Sequence, residues 1–229
     1  ASGAGTGQGT RYVHVEEATL NLEASIAVAN LPLVKAGAGT LALTHTGNVA
    51  MPQPLVINGG AVRATSGSSL PGGEIRFRGG VVELMGGGTF SRNVGAGANT
   101  VNWEGVGALN AQMADDRGSG GFAAVGNNVT IDLGSAGATN FTWEGVGFLA
   151  SGYALTFGSR NATAGVTWSD NIGLSPVSTT IPYNAREIRV VGNPSSNADF
   201  ARITGGITGN LQTDLVKTGS GRLELTGTN

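Results

Sequence analysis

The chain has 229 residues, of which 40 are glycine and 12% are charged, and its formal net charge is −2 at pH 7. This balance leaves no basic surface for nucleic acid or an anionic membrane, and a hydrophobic content of 40% is too high for a disordered chain. The chain contains no cysteine, which excludes disulfides and thiolate metal sites.

Short stretches of alternating apolar and polar residues recur along the chain and predict β-strands. In each stretch two or three apolar side chains point to one side and would enter a core. Paired and tripled glycines separate the stretches and predict turns, because glycine tolerates positive φ. In chain order the apolar sets are Val13/Val15, Leu20/Leu22, Leu41/Leu43, Ile75/Phe77, Val82/Leu84, Val129/Ile131/Leu133, Leu155/Phe157, Ile188/Val190 and Leu223/Leu225.

Two internal repetitions narrow the choice of architecture. Leu33–Thr44 returns as Leu215–Thr226 with four alternate positions changed, and Trp103–Leu109 returns 40 residues later as Trp143–Leu149. The strand pattern alone fits a sandwich, a barrel or a solenoid. Repetition favours the solenoid, and the 40-residue offset predicts two coils of about 20 residues each.

The repeated segments, LVKAGAGTLALTHTGN at 33–48 and LVKTGSGRLELTGTN at 215–229, resemble the autotransporter-associated β-strand repeat, a passenger-associated repeat of bacterial surface proteins. Weaker similarity to long surface proteins with this repeat extends, with gaps, from Gly87 to Asn193. The resemblance implies a right-handed parallel β-helix in a region that is secreted or displayed on the cell surface. The motif positions that it carries over are structural: Lys35, Gly37, Gly39, Leu41, Leu43, Lys217, Gly219, Gly221, Leu223 and Leu225.

We therefore expect residues 1–229 to form one β-solenoid segment, a single unit of a longer or polymeric surface protein. Coils of about 20 to 25 residues predict about 9 to 11 coils and a rod near 50 Å long. Unpaired strands at the ends of a solenoid are templates for another chain. The expected partner is accordingly a further unit of the same kind, joined head to tail either covalently or by strand pairing. We also expect Leu223→Asp to unfold the last coil, because it would bury a carboxylate.

The predicted function is a structural building block of an extracellular bacterial fibre, matrix or surface stalk, with surface glycans as a second class of partner. We expect no enzymatic activity, no catalytic or metal-binding residues, no cofactor, no nucleic-acid partner and no membrane insertion of this segment. Asp115-Asp116-Arg117, an acidic pair directly beside a base, lies in a glycine-rich stretch that predicts a solvated turn.

The alternative function is a glycan-binding or polysaccharide-cleaving β-helix. Its candidate glycan contacts are two Trp-Glu pairs, which successive coils would align: Trp103, Glu104, Trp143 and Glu144. The more common role of such tryptophans is to close a corner of the core while the carboxylates face water.

Overall fold

The computed structural model describes residues 9–26, 31–103, 118–134, 139–174, 185–209 and 213–228. The first eleven strands are β1 Arg11–His14, β2 Thr19–Leu22, β3 Leu33–Ala36, β4 Thr40–Leu43, β5 Leu55–Ile57, β6 Ala61–Thr65, β7 Ile75–Phe77, β8 Val81–Met85, β9 Gly88–Phe90, β10 Asn93–Val94 and β11 Thr100–Asn102. The next eleven are β12 Gly120–Val125, β13 Val129–Ile131, β14 Asn140–Thr142, β15 Ala154–Phe157, β16 Val166–Trp168, β17 Asn171–Gly173, β18 Ala185–Val190, β19 Ala201–Ile203, β20 Ile207–Thr208, β21 Asp214–Thr218 and β22 Leu223–Leu225.

The strands form four parallel sheets that run along the molecule. The first sheet has the order β1-β3-β5-β7-β11-β10, the second β2-β4-β6-β8-β12-β15-β18-β21, the third β22-β19-β16-β13-β9, and the fourth β14-β17-β20. Strands that follow one another in the chain lie in different sheets almost throughout, so the chain winds in coils. The predicted all-β parallel solenoid is confirmed. Within the described residues the helical content is a 3-10 turn at Thr46–Ala50, far too short to cross a membrane.

The coils change in length halfway along the chain. In the N-terminal half each coil has one strand in the first sheet and one in the second, and Leu20, Leu41, Val62 and Val82 succeed one another after 21, 21 and 20 residues. After β8 the chain enters the third sheet with β9 and returns to the first sheet with β10 and β11, and from β12 onward the coils pass through the second, third and fourth sheets. Val82 then pairs with Phe122, 40 residues later.

Each coil contributes one strand to the second sheet, so the number of its strands gives the number of coils among the described residues. It contains eight strands, which at about 4.8 Å per strand span about 34 Å. The described residues therefore form fewer coils than the predicted 9 to 11 and a shorter rod than 50 Å, because the later coils use many more residues per turn. The 40-residue offset between the two tryptophan segments corresponds to one coil and not to two.

The core lies between the sheets and is built mainly from the predicted apolar sets, except that Leu20 and Leu225 are 46% and 42% exposed. Its N-terminal part is aliphatic, with Leu41, Leu55, Ile57 and Val62 fully buried. Aromatic rings fill the later part, where the third sheet widens the interior, and adjacent centroids are 4.9–6.5 Å apart in the set Phe77, Phe90, Trp103, Phe122, Phe141, Trp143, Phe148, Phe157 and Trp168. The widening therefore explains why the larger side chains lie there.

A loop that we call the strap, residues 158–165, crosses the outer face of the second sheet. Asn161 Nδ2 donates to Thr40 Oγ1 at 3.0 Å, and Ser159 Oγ donates to Glu83 Oε1 at 2.7 Å. Ala162 is buried in an outer apolar cluster that also contains Ala61, Val81 and Ala123. The strap thus links a late coil to strands β4 to β12, a contact between residues up to 121 positions apart that no sequence pattern indicated.

Candidate functional site: the repeat corner and the two ends of the solenoid

The first copy of the repeat is a strand, a corner and a second strand. Its first half forms β3 in the first sheet, and its second half forms β4 in the second sheet. Leu41 and Leu43 point into the core, where Leu41 pairs with Leu20 on one side and Val62 on the other. The repeat therefore encodes one corner of the solenoid together with the strands that enter and leave it.

Lys35 is fully buried at this corner. Its ammonium group donates to three backbone carbonyl oxygens: Ala36 at 2.9 Å, Gly37 at 2.8 Å and Gly59 of the next coil at 3.1 Å. Desolvation lowers the pKa of Lys35 below its ordinary value, and the nearby carboxylate of Glu16 opposes that shift. Three carbonyls saturate the three donors of an ammonium group, so the lysine satisfies acceptors that the sharp bend leaves outside the strand ladders.

The two glycines of the corner allow it to touch the preceding coil. Gly37 has φ +81°, and a Cβ atom there would overlap the backbone oxygen of Val15. A Cβ atom on Gly39 would lie 2.8 Å from the oxygen of Glu17. Gly39 N also donates to Val15 O at 2.8 Å, which fixes the distance between the coils. Any larger residue would push the corner off its neighbour.

The second copy of the repeat forms the same corner between different sheets. It provides β21 of the second sheet and β22 of the third. Gly219 has φ +75°, and Gly221 N donates to Val190 O at 2.8 Å, as Gly39 N does to Val15 O. The corner is thus a property of the motif and does not depend on which two sheets it joins.

Only the second copy has no coil stacked on its far side within the described residues. Strands β21 and β22 are edge strands of their sheets. Lys217 Nζ donates to Gly219 O at 2.5 Å, the equivalent of the Lys35 bond to Gly37, and the lysine is exposed. Leu225, the equivalent of the buried Leu43, is 42% exposed. The same motif is therefore buried at one end of the chain and open at the other.

At the opposite end, too, no further coil is stacked on the first one within residues 9–228 as far as the structure describes them. Strands β1 and β2 are edge strands, and Leu20, which stacks on Leu41, is 46% exposed. The corner between these strands carries two exposed carboxylates, Glu16 and Glu17. Each end therefore presents core leucines together with charged corner residues.

Other cations also serve as caps for backbone carbonyls. Arg92 donates to the carbonyls of Gly73 at 2.9 Å and Pro71 at 2.6 Å, and burial lowers its pKa to about 10. Arg186, fully buried, donates to Leu174 O at 3.0 Å. These residues carry no sequence signal apart from a charge next to an apolar stretch, so sequence reasoning missed them.

The rings of the two tryptophans predicted as candidate glycan contacts are buried. Trp103 and Trp143 are 1% and 0% exposed, and both pack against Phe148 with centroids 5.3 and 5.5 Å away. Neither ring has a free face on which a sugar could stack. Glu144 lies beside Arg186 and Ser151, with the arginine Nη2 at 3.5 Å from Glu144 Oε1, whereas Glu104 and the Asp115-Asp116-Arg117 stretch lie outside the described residues.

The surface carries a polar groove of about 520 Å³ near the second copy. Its lining includes Asn193, Ser196, Asn197, Asp199 and Arg222. Asp199 Oδ2 accepts from Asn193 N at 2.8 Å, which orders the loop that forms one wall. Among the described residues, no cluster of three or more His, Asp or Glu side chains could hold a metal ion.

The comparisons with known proteins agree with the corner geometry. The family model of the passenger-associated-transport-repeat matches residues 33–64 and 215–229, ranges that include the two copies described above. The predicted resemblance to this repeat is confirmed. No curated protein and no solved structure matches the chain.

Proposed function

We propose that the chain is a structural segment of a bacterial surface protein, a stiff solenoid that serves as a building block of an extracellular fibre, matrix or stalk. The matched repeat is associated with passenger regions, which supports a secreted or surface-exposed location. The proposal includes head-to-tail association of copies and no catalytic step.

The observation that carries this proposal is the contrast between the two copies of the repeat. Inside the solenoid the motif is covered by a further coil that supplies a carbonyl to Lys35 and packs Val62 on Leu41. On the second copy the equivalent surface is exposed within the described residues. Exposed parallel edges with core leucines favour the addition of another coil, because pairing removes both unpaired backbone groups and apolar surface from water.

The test is the state of association of the purified chain at neutral pH. Light scattering coupled to size exclusion, over a hundredfold range of concentration, is expected to show concentration-dependent oligomers. Negative-stain electron microscopy is expected to show particles of constant width and multiple lengths. A short monomer at every concentration would contradict the self-association, while a rod-like scattering profile of that monomer would still support a stalk.

Adhesion to glycans is a second candidate, favoured by the groove next to the second copy. Its amide, hydroxyl, carboxylate and guanidinium groups are those that bind sugar hydroxyls. A glycan array probed with the wild type and with Asn197→Ala/Arg222→Ala is the test. Binding that the double substitution removes supports this site, and equal binding by both proteins rejects it.

A further inference from the structure

We propose that the cleft beneath the strap binds one sugar ring that carries a carboxylate, a uronic acid. This strap cleft has a volume of about 200 Å³ and is lined by strap residues 158–161 and by outward-facing residues of β4, β6, β8, β15 and β18. Its lining includes no residue of the first or the last described coil and none of the groove beside the second copy. The proposal is therefore independent of head-to-tail association and of that groove.

Two hydrogen bonds hold the strap above the sheet and keep the cleft in shape. Asn161 Nδ2 donates to Thr40 Oγ1 at 3.0 Å, and Ser159 Oγ donates to Glu83 Oε1 at 2.7 Å. The floor near these contacts is made of small residues, among them Ala61, which leave space under the strap. The cleft is smaller than the roughly 300–1,000 Å³ of pockets for drug-sized ligands, so its size fits one ring and not a chain of sugars.

Thr156 places a nearly buried hydroxyl group in the lining of the cleft. The residue is 6% exposed and lies on the outward face of β15, between Gly121 and Arg189 in the register of the second sheet. Its hydroxyl makes no hydrogen bond within the described part of the chain. An unpaired hydroxyl at such a depth costs free energy, and a hydroxyl both donates and accepts, as the hydroxyls of a sugar do. Thr156 therefore favours a ligand with hydroxyl groups.

The charges around the cleft favour an acidic ring over a neutral one. Glu83 is fully buried and already paired with Arg63, whose Nε lies 2.7 Å from Glu83 Oε2. Arg189 is paired with Glu187 at 2.9 Å. Arg160, exposed on the strap, has no ion pair within the residues that the structure describes. A guanidinium group binds a carboxylate through two parallel hydrogen bonds, so this uncompensated charge selects a uronic acid.

Titration of the full chain with sodium glucuronate, followed by ligand-observed NMR, tests the proposal. Wild type is expected to bind glucuronate with a Kd of about 1 mM and glucose about fivefold more weakly. Arg160→Ala should lower the affinity for glucuronate about fivefold, to that for glucose, because it removes the partner of the carboxylate. Thr156→Val keeps the shape of the side chain, removes its hydroxyl and should weaken binding of both sugars about threefold.

The matched control is Arg222→Ala, the same substitution at an exposed arginine of the groove beside the second copy, and it should leave both affinities unchanged. Thermal melts compare the stability of each variant with wild type. If Thr156→Val melts at a lower temperature, Arg160→Ala decides the outcome, because its side chain is exposed.

The possible results separate this site from the other proposals. Absence of glucuronate binding by wild type up to about 20 mM overturns the strap cleft, as does equal binding by wild type and both cleft variants. If Arg222→Ala alone removes binding, the strap cleft is overturned and the groove gains support. Inorganic sulfate that displaces glucuronate at equal concentration would show a general anion site and overturn the specificity for a sugar. None of these results bears on head-to-tail association.

Discussion

The two copies of the repeat share eight of twelve residues, yet one has coils stacked on both sides and the other, within the described residues, on one side only. Both corners contact the preceding coil in the same way, since Val15 and Val190 each accept a 2.8 Å bond from the second glycine of the motif. The copies differ on the side of the following coil, where Lys35 binds Gly59 and Lys217 has no such neighbour within the described residues. The glycines of the motif therefore make the contact with the preceding coil. The lysine and the leucines also contact the following coil.

The largest expected effect comes from placing a carboxylate at matched leucines. Leu41→Asp buries a charge in the core and should lower the free energy of unfolding by about 4–5 kcal/mol. Leu223→Asp should cost only about 1–2 kcal/mol, because Leu223 is half-buried and its carboxylate can reach water. This revises the expectation that Leu223→Asp unfolds the last coil. Urea unfolding of both variants checks the difference, and equal losses would show that the end coil is as covered as an internal one.

Alanine at the first corner glycine should have the same effect in both copies. Gly37→Ala and Gly219→Ala each force a side chain to positive φ and against a backbone oxygen of the preceding coil, at a cost of about 2–3 kcal/mol. Hydrogen exchange of the amides in β3–β4 and β21–β22 reports each corner separately. If Gly37→Ala lowered the stability of its corner and Gly219→Ala did not, the two corners would not contact the preceding coil in the same way.

Unlike the glycine substitutions, substitutions of the two lysines should lower the free energy of unfolding by different amounts. Lys35→Met leaves three buried carbonyls without their donor and should cost about 2–3 kcal/mol after the relief of desolvation. Lys217→Met should cost less than about 1 kcal/mol in the monomer, since the lysine is exposed and makes one such bond. Chemical unfolding below the association concentration is the measurement. A larger loss for Lys217→Met would contradict the dependence on the following coil.

The smallest expected effect is a pH dependence at Lys35. Its pKa is lowered in the folded state below the ordinary 10.5, so the unfolded chain binds more protons in that interval. The stabilisation associated with its neutral form is present above 10.5 and lost as the pH falls through the folded pKa. The free energy of unfolding of wild type, minus that of Lys35→Met, should therefore rise as the pH approaches 10.5. A difference that stays flat from pH 8 to 10.5 would show that burial does not perturb this lysine.

The candidate site was only partly predictable from the residues. Lys35, Gly37 and Gly39 were recognised as motif positions, because their spacing recurs at 215–226. The sequence did not show that Lys35 is buried with three carbonyl partners, since that depends on where Gly59 of the next coil lies. The burial of Trp103 and Trp143 was not decided by the sequence for a related reason: the repeat shows that the Trp-Glu pairs are equivalent but not which way the rings point.

Local chemistry let the sequence by itself determine the strands, their inward faces and the corners. Alternation with period two assigns each side chain to a face, and glycine is needed wherever a corner has positive φ or touches a backbone oxygen. Only the tertiary structure decided the change from two to three strands per coil, the strap across the second sheet and the different burial of the two repeat copies. These features depend on contacts between residues 20 to 121 positions apart, and a local sequence pattern does not show which distant residues pack on it.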